Sequence, residues 1–221
     1  MSGAYYDAVA RRYDAVVDRP IRHVRAAAVE ALAPEAGATA LDLGCGSGVN
    51  LPHLRRAVGP SGTVVGVDVS PGMLALADRR VRDAGWENVS LVRGDAGRPP
   101  VDDPDVVFAS LLAAFFDDPA DVVREWAALV GPGGRLGLLD FGRTSGVAGV
   151  LNPLFVVFTN AVSPGRDAGY DPDGVARMER DNAAAHGELE ACCTDVRRSR
   201  RLLGFARVTV GTVTEEGARG P

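Results

Sequence analysis

The chain has 221 residues, 29 of them acidic and 24 basic, for a net charge of −5, and it contains no lysine. Apolar residues make up 46% and charged residues 24%, a globular composition that excludes a disordered chain and fits one domain. The acidic balance argues against general nucleic-acid binding, and the missing lysine excludes Schiff-base catalysis and a P-loop phosphate site.

Residues 4–33 read as helical, on a rough apolar stripe through Tyr5, Val9, Tyr13, Val16 and Val17, with Pro20 restarting the helix. Thr39–Leu43 reads as a short buried strand that runs into a glycine turn, and Asn50–Val58 as the helix after it. Thr63–Asp68 is a second strand, Pro71–Ala84 a helix, Val89–Arg93 a third strand and Asp105–Ser110 a fourth. Pro119–Val130 is a helix stopped by Gly131-Pro132-Gly133-Gly134, and Arg135–Phe141 is a fifth strand. Alternation of this kind over about 100 residues predicts an α/β fold of the doubly wound class, a parallel sheet with helices on both faces.

Beyond Asp140 the alternation stops. Val147–Val162 reads as an apolar helix or broken lid, Asp171–His186 and Glu188–Leu203 as helices, and Ala206–Val213 as a strand; residues 214–221 are expected to fray. The uncharged stretch Thr144–Gly165 is interrupted by glycine, proline and asparagine, a poor pattern for a membrane span. The first eighteen residues lack an apolar core of signal-peptide length. Cys45, Cys192 and Cys193 show no metal spacing and no useful bridge. A reduced, cytoplasmic setting is expected.

The sharpest motif is Leu41-Asp42-Leu43-Gly44-Cys45-Gly46-Ser47-Gly48, between a strand and a helix. Glycines there let a ligand approach the backbone, and the helix start offers N–H groups. The spacing is Gly-x-Gly-x-Gly. The third glycine of a nicotinamide fingerprint is missing whether counting starts at Gly44 or Gly46. Asp68 ends the second strand, 20 residues after Gly48, where a carboxylate can accept ribose hydroxyls. Asp42, Asp95 and Ser110 fall at other strand ends on the same edge, which together describe a nucleoside-type pocket.

In these residues the chain resembles class I S-adenosylmethionine-dependent methyltransferases, nearest the ubiquinone/menaquinone C-methyltransferase-like (type 11/25) branch. The carrying residues are the glycine motif, Val65-Gly66-Val67-Asp68-Val69-Ser70 with Met73-Leu74, Gly94-Asp95-Ala96, and Leu129 through Leu136. Tyr6 through Asp14 is similar to that branch's first helix. The resemblance covers residues 4–142 well and the remainder loosely. It implies a mostly parallel, seven-stranded Rossmann-like sheet with N-terminal helices and a helical lid insertion. One domain would span 1–221, divided into N-terminal helices (1–37), cofactor-binding core (38–142), lid (143–187) and a C-terminal helix and strand (188–221).

The resemblance also implies S-adenosyl-L-methionine as cofactor, with no metal. Gly44, Cys45 and Gly46 would line its methionine part and Asp42 would hold the amino group, directly or through water. Asp68 would take the ribose hydroxyls. Val69 and Met73 would pack on adenine, Asp95 would accept from its amino group beside Ala96, and Ser110 and Leu111 would lie under the sulfonium. The fold usually closes with two antiparallel terminal strands; residues 214–221 make no convincing second one, so the last strand is expected to be missing or short. That would leave a sheet edge for a helix or partner chain to cover, which favours a homodimer.

Methyl transfer rests mainly on alignment, and a carbon or oxygen acceptor also needs a base. Asp140, Tyr13, Tyr5 and His186 are the candidates nearest the expected mouth, and none is assigned. The acceptor side is apolar, through Leu111, Leu112, Phe115 and Phe116 and a second patch of Leu151, Leu154, Phe155, Val156, Val157 and Phe158. A quinone precursor, isoprenoid or lipid would suit it, but the second patch would serve equally as a packed lid or dimer surface.

Structural readings stand beside these. Asp68 could cap a helix and Asp95 form a turn. His23, His53 and His186 read as helix-surface residues and Cys192-Cys193 as half-buried helix filler. Arg197-Arg198-Ser199-Arg200-Arg201 reads as a solvated helix face, with peripheral membrane contact or an anionic acceptor as its functional counterpart. The leading expectation is a methyltransferase on a small apolar molecule. The alternatives are a non-catalytic S-adenosylmethionine-binding protein and a nucleotide-dependent oxidoreductase. A nucleic-acid substrate is disfavoured, because Ala109-Ser110-Leu111-Leu112 lacks an Asn-Pro-Pro-Tyr-like motif.

Overall fold

The computed structural model describes residues 21–162 and 173–219. Its centre is a seven-stranded sheet in the order β3-β2-β1-β4-β5-β7-β6. The strands are β1 (Thr39–Leu43), β2 (Thr63–Asp68), β3 (Val89–Arg93), β4 (Val106–Ser110), β5 (Arg135–Phe141), β6 (Cys193–Arg201) and β7 (Ala206–Val213). The first five are parallel, while β7 runs antiparallel to both β5 and β6. The order reverses between β1 and β4. In such sheets the carboxyl ends of the strands at that switch point form a ligand crevice.

The helices are α1 (Arg22–Leu32), α2 (Leu51–Val58), α3 (Pro71–Asp83), α4 (Pro119–Val130), α5 (Asn152–Val162) and α6 (Gly174–Cys192). Local chemistry sets several boundaries. Ser70 Oγ accepts the Met73 N–H at the start of α3, and an Asp118 carboxylate oxygen accepts the Asp121 N–H at the start of α4, each with proline at the next position. α1, α2 and α3 cover one face of the sheet through Val24, Leu32, Leu54 and Ala77; α4 and α6 cover the other through Val123, Trp126, Ala185 and Leu189. Leu41, Leu43, Phe108, Leu136 and Leu138 are fully buried between the layers.

The C-terminal third departs from the expected order. Residues 188–203 are not one helix. α6 runs unbroken through Gly187 to Cys192, and the chain then turns into β6. The strand expected to be missing after β7 therefore lies before it. Arg197–Arg201 stands on an edge strand rather than a helix face. Only Cys193 of β6 is buried, so the segment shows no apolar alternation, and its arginines carry good helix propensity. A charged edge of this kind blunts strand addition. It also covers the flank of β7, which removes the open edge as an argument for a dimer. Cys192 and Cys193 are buried at the helix–strand junction, Cys192 ending α6 and Cys193 opening β6, rather than half-buried within one helix.

Residues 214–219 do not fray. Thr214 N–H donates to the Cys192 carbonyl, Gly217 N–H donates to Thr214 Oγ1, and a Cβ on Gly217 would collide with the Cys192 backbone. α5 is 11 residues long, and among the described residues no helix is long and apolar enough to cross a membrane. Of the expected helix over 4–33, α1 is the described part; Tyr5, Tyr13 and Pro20 lie outside the described residues.

Burial pushes the Cys192 thiol up to about 11 and the Cys193 thiol up to about 12. Cys45 is also raised, by burial and then by Asp42 and Asp68. Thiolate is the reactive form, so iodoacetamide at neutral pH is expected to leave all three cysteines unmodified in the native protein and to label them once it is unfolded. Mass spectrometry reads the difference; rapid native labelling would contradict this packing.

Candidate active site

The glycine turn leaves β1 at Gly44. Gly44 and Gly46 have φ values of 61° and 55°, a region that side chains disfavour. A Cβ on Gly44 would meet Leu112 Cδ1 at 2.8 Å, whereas one on Gly46 would meet only the Gly44 carbonyl, at 4.0 Å. The turn is stitched to β2 by Cys45 N–H donating to the Val67 carbonyl at 3.0 Å. Asp68 completes the link. Its Oδ2 accepts from Gly46 N–H and its Oδ1 from Ser70 N–H, both at 2.8 Å. One carboxylate thus ties the β1 turn to the β2 turn through charge-assisted bonds.

Behind the turn lies a buried polar network. An Arg25 guanidinium nitrogen donates to Asn50 Oδ1 at 2.9 Å and to Ser110 Oγ at 2.7 Å. Asn50 Nδ2 donates to Asp42 Oδ1 and to Ser110 Oγ, both at 2.9 Å. All four residues are buried. Burying a charge is costly unless it is paired and hydrogen-bonded, and here a cation and a carboxylate are joined through one amide and one hydroxyl. Neither Arg25 nor Asn50 was singled out from the sequence. The available signal for Arg25 was its place on the inward stripe of α1, among Ile21, Val24, Ala28, Val29 and Leu32. Asn50 looks like a helix cap, yet its side chain makes no cap bond.

These elements surround a cleft of about 400 Å³ at the carboxyl ends of the strands, within the usual range for small-molecule sites. Ten of the eleven residues expected to hold the cofactor line it: Gly44, Cys45, Gly46, Asp68, Val69, Met73, Asp95, Ala96, Ser110 and Leu111. Asp42 does not; it is fully buried behind the others. Asp95 Oδ1 accepts the Gly97 N–H at 2.9 Å, and Trp126 Nε1 donates to the Ala96 carbonyl at 2.8 Å, so the loop after β3 is pinned from the core. Val69 is half exposed beside the cleft and Met73 lies beneath it.

The opposite wall is apolar. Leu111 takes a left-handed conformation (φ 56°) as β4 ends, and its N–H donates to the Leu139 carbonyl at 2.8 Å. The chain then turns Leu112, Phe115 and Phe116 to the cleft. Phe116 packs edge-to-face on Trp126 with centroids 5.8 Å apart. Arg25 and Asp117 also line the cleft.

Of the expected base candidates, Tyr5 and Tyr13 lie outside the described residues, and Asp140 and His186 do not line the cleft. Asp140 and His186 are both 3% exposed. Asp140 Oδ2 lies 3.3 Å from His186 Nε2, and His186 Nδ1 is 2.7 Å from Thr209 Oγ1. This cluster sits among β5, α6 and β7. His186 is therefore neither at the mouth nor on a helix surface. Because α6 continues past Gly187, His186 shares its inward face with Asn182, Ala185 and Leu189. Burial pushes the Asp140 carboxyl up, an effect His186 only partly offsets. Of the other histidines, His23 is exposed as expected and His53 is half-buried in α2.

Residues 40–134 match the family model described as "Methyltransferase domain". The chain is thus similar to that family over 95 of its 221 residues, from β1 to the turn before β5. It is 37% identical over 135 residues to nocamycin O-methyltransferase of Saccharothrix syringae, covering 60% of this chain and 48% of that protein. It is 37% identical over 108 residues to demethylmenaquinone methyltransferase of Shouchella clausii, covering 48% and 46%. The chain thus spans about half the length of the curated relatives it matches. A crystal structure of a SAM-dependent methyltransferase from Aquifex aeolicus shares the fold, with a TM-score of 0.59 at 18% identity over 97% of this chain and all of that one.

Proposed function

We propose that this chain transfers a methyl group from S-adenosylmethionine to a small apolar molecule. The observation that carries the reading is the division of the cleft, with Asp68, Asp95 and the Gly44–Gly46 backbone on one side and Leu111, Leu112, Phe115 and Phe116 on the other. The bound cofactor supplies a sulfonium methyl already activated for transfer. The donor set suits that molecule, since Asp68 and Asp95 are acceptors for ribose hydroxyls and an adenine amino group. Gly46, where no side chain fills the space, admits the methionine part against the backbone. Arg25, held in place by Asn50 and Ser110, presents a cation to the methionine carboxylate. Asp42 acts through Asn50 by fixing that network.

Catalysis in this reading is positioning. Phe116, locked by Trp126, and Leu112, packed on Gly44, form an apolar wall that orients the acceptor and keeps water from the reacting methyl. Among the described residues the ionisable groups lining the cleft are Arg25, Cys45, Asp68, Asp95 and Asp117. The Cys45 thiol stays neutral, so a proton released by the acceptor would leave through Asp117 at the rim or through solvent. Relatives named for nocamycin O-methylation and for demethylmenaquinone methylation are compatible with a small-molecule acceptor.

The test is calorimetry with S-adenosylhomocysteine and with NAD, followed by turnover assays on phenols, quinols and isoprenoids. Binding of one S-adenosylhomocysteine per chain, no binding of NAD, and cofactor-dependent methylation of an apolar acceptor are expected. Binding without turnover on any acceptor would favour a non-catalytic cofactor-binding protein, and NAD binding would overturn the reading.

A further inference from the structure

We propose that the segment after β5, together with the β6–β7 turn, is a docking surface for an anionic lipid bilayer. The segment is a 3-10 turn (Gly146–Leu151) followed by α5. It is joined to the β6–β7 turn by Thr144 Oγ1 donating to the Leu203 carbonyl at 2.8 Å, by Gly142 N–H donating to the Phe205 carbonyl at 2.9 Å, and by Phe155 against Phe205 at 5.1 Å. The joined surface exposes Val147, Val150, Leu154, Val157 and Leu203; Val147 is 95% exposed and the others 67–78%. Large apolar side chains grouped in this way mark an interaction surface.

Charge identifies the occupant. Residues 142–162 and 196–207 contain six arginines and no carboxylate, in a chain whose net charge is −5. Arg143 pairs with Glu179 and Arg198 with Glu190, while Arg197 donates to the Ala31 carbonyl. Arg200 and Arg201 are exposed, and among the described residues no side-chain hydrogen bond or ion pair engages them. Arg200 also stands directly opposite Arg207 across the strands, where Asp140, Glu179 and Glu190 act on Arg207 from within the fold and leave Arg200 at the exposed edge. An apolar face that inserts, rimmed by arginines that meet headgroups, is the pattern of a peripheral membrane site. A second copy fits less well. A two-fold contact sets identical patches face to face, so it would bring these arginines together with no carboxylate from either segment.

The surface and the cleft lie on the same edge of the sheet, because the segment leaves the carboxyl end of β5 beside Leu111. Docking would bring the cleft mouth to the lipid, so that an apolar acceptor could enter from the bilayer. That consequence rests on the proposed transfer; the docking does not.

The test is co-sedimentation of the full chain with vesicles of phosphatidylcholine alone and of phosphatidylcholine with phosphatidylglycerol. Binding is expected to the mixed vesicles and to weaken with salt. Each basic residue near an anionic surface is worth about a factor of five, so the double variant Arg200→Glu, Arg201→Glu should lose at least about tenfold and its preference for anionic lipid. Val150→Glu with Leu154→Glu should also lose at least about tenfold. These positions are exposed, so circular dichroism and S-adenosylhomocysteine binding should not change. No binding to mixed vesicles, or binding that ignores both variants, would overturn the proposal. So would a stable dimer in light scattering that Leu154→Glu dissolves.

Discussion

Replacing Arg25 by methionine is expected to cost the folded protein about 3–5 kcal/mol, the scale for removing one member of a buried charged network. The methionine fills a similar volume, so little of the loss is cavity formation. The loss comes from what is left behind. Asn50 Oδ1 loses its Arg25 donor and Ser110 Oγ keeps only Asn50 Nδ2, and Asp42, fully buried, keeps its hydrogen bond to Asn50 but loses the cation whose field accompanies it. Urea unfolding followed by circular dichroism measures the change. A drop under about 1 kcal/mol would mean that water supports the network in place of the guanidinium. Because Arg25 also lines the cleft, S-adenosylmethionine affinity should fall too. Asn50→Ala separates the two effects: it breaks the network but leaves the cation, so its loss should fall on stability more than on binding.

Asp68→Ala should weaken S-adenosylmethionine binding by about 1–3 kcal/mol, or roughly 5- to 150-fold in Kd. Two losses add. The ribose acceptor disappears, and so does the clamp between Gly46 N–H and Ser70 N–H, which holds the glycine turn ready before the cofactor arrives. Asp68→Asn keeps the shape and one acceptor, so its affinity should lie between the two. Calorimetry with S-adenosylhomocysteine checks the order. An alanine variant that binds as the parent does would remove Asp68 from the ribose role, and an asparagine variant no better than alanine would show that charge rather than geometry carries the effect.

Much of this architecture could be read along the chain. β1, β2, β3, β5 and α4 lie where the residue pattern places them, because parallel core strands are short apolar runs and the intervening helices carry proline at their start or glycine just past their end, and antiparallel β7 does so through its run of branched residues. The glycine turn, Asp68, Asp95 and Ser110 are equally readable, since each is tied to a strand end. β6 could not be found this way. An edge strand solvated on most of its length has no alternating apolar face, and Arg197–Arg201 carries no local preference for strand that would outweigh its helix propensity. What makes it a strand is pairing with β7, a contact made by topology. The same holds for His186: its burial depends on α6 running past a glycine that local propensity would treat as a break.

The three carboxylates on strand ends, Asp42, Asp68 and Asp95, look alike in the sequence. Folding separates them. Asp68 clamps two turns at the cleft, Asp95 shapes the loop that Trp126 pins, and Asp42 is buried behind the cleft in a network with Arg25. The order of strands and helices, the kind of pocket and the residues at its floor follow from the sequence by itself, because backbone geometry and apolar periodicity are local. Which polar groups face the cleft, that Arg25 of α1 reaches the turn after β1, and that an uncharged segment meets a rim of arginines are tertiary facts, since each joins residues at least 25 positions apart in the chain. Their energies arise from burial and from charge brought into a low-dielectric interior, and neither exists until the sheet and its two helical layers have closed.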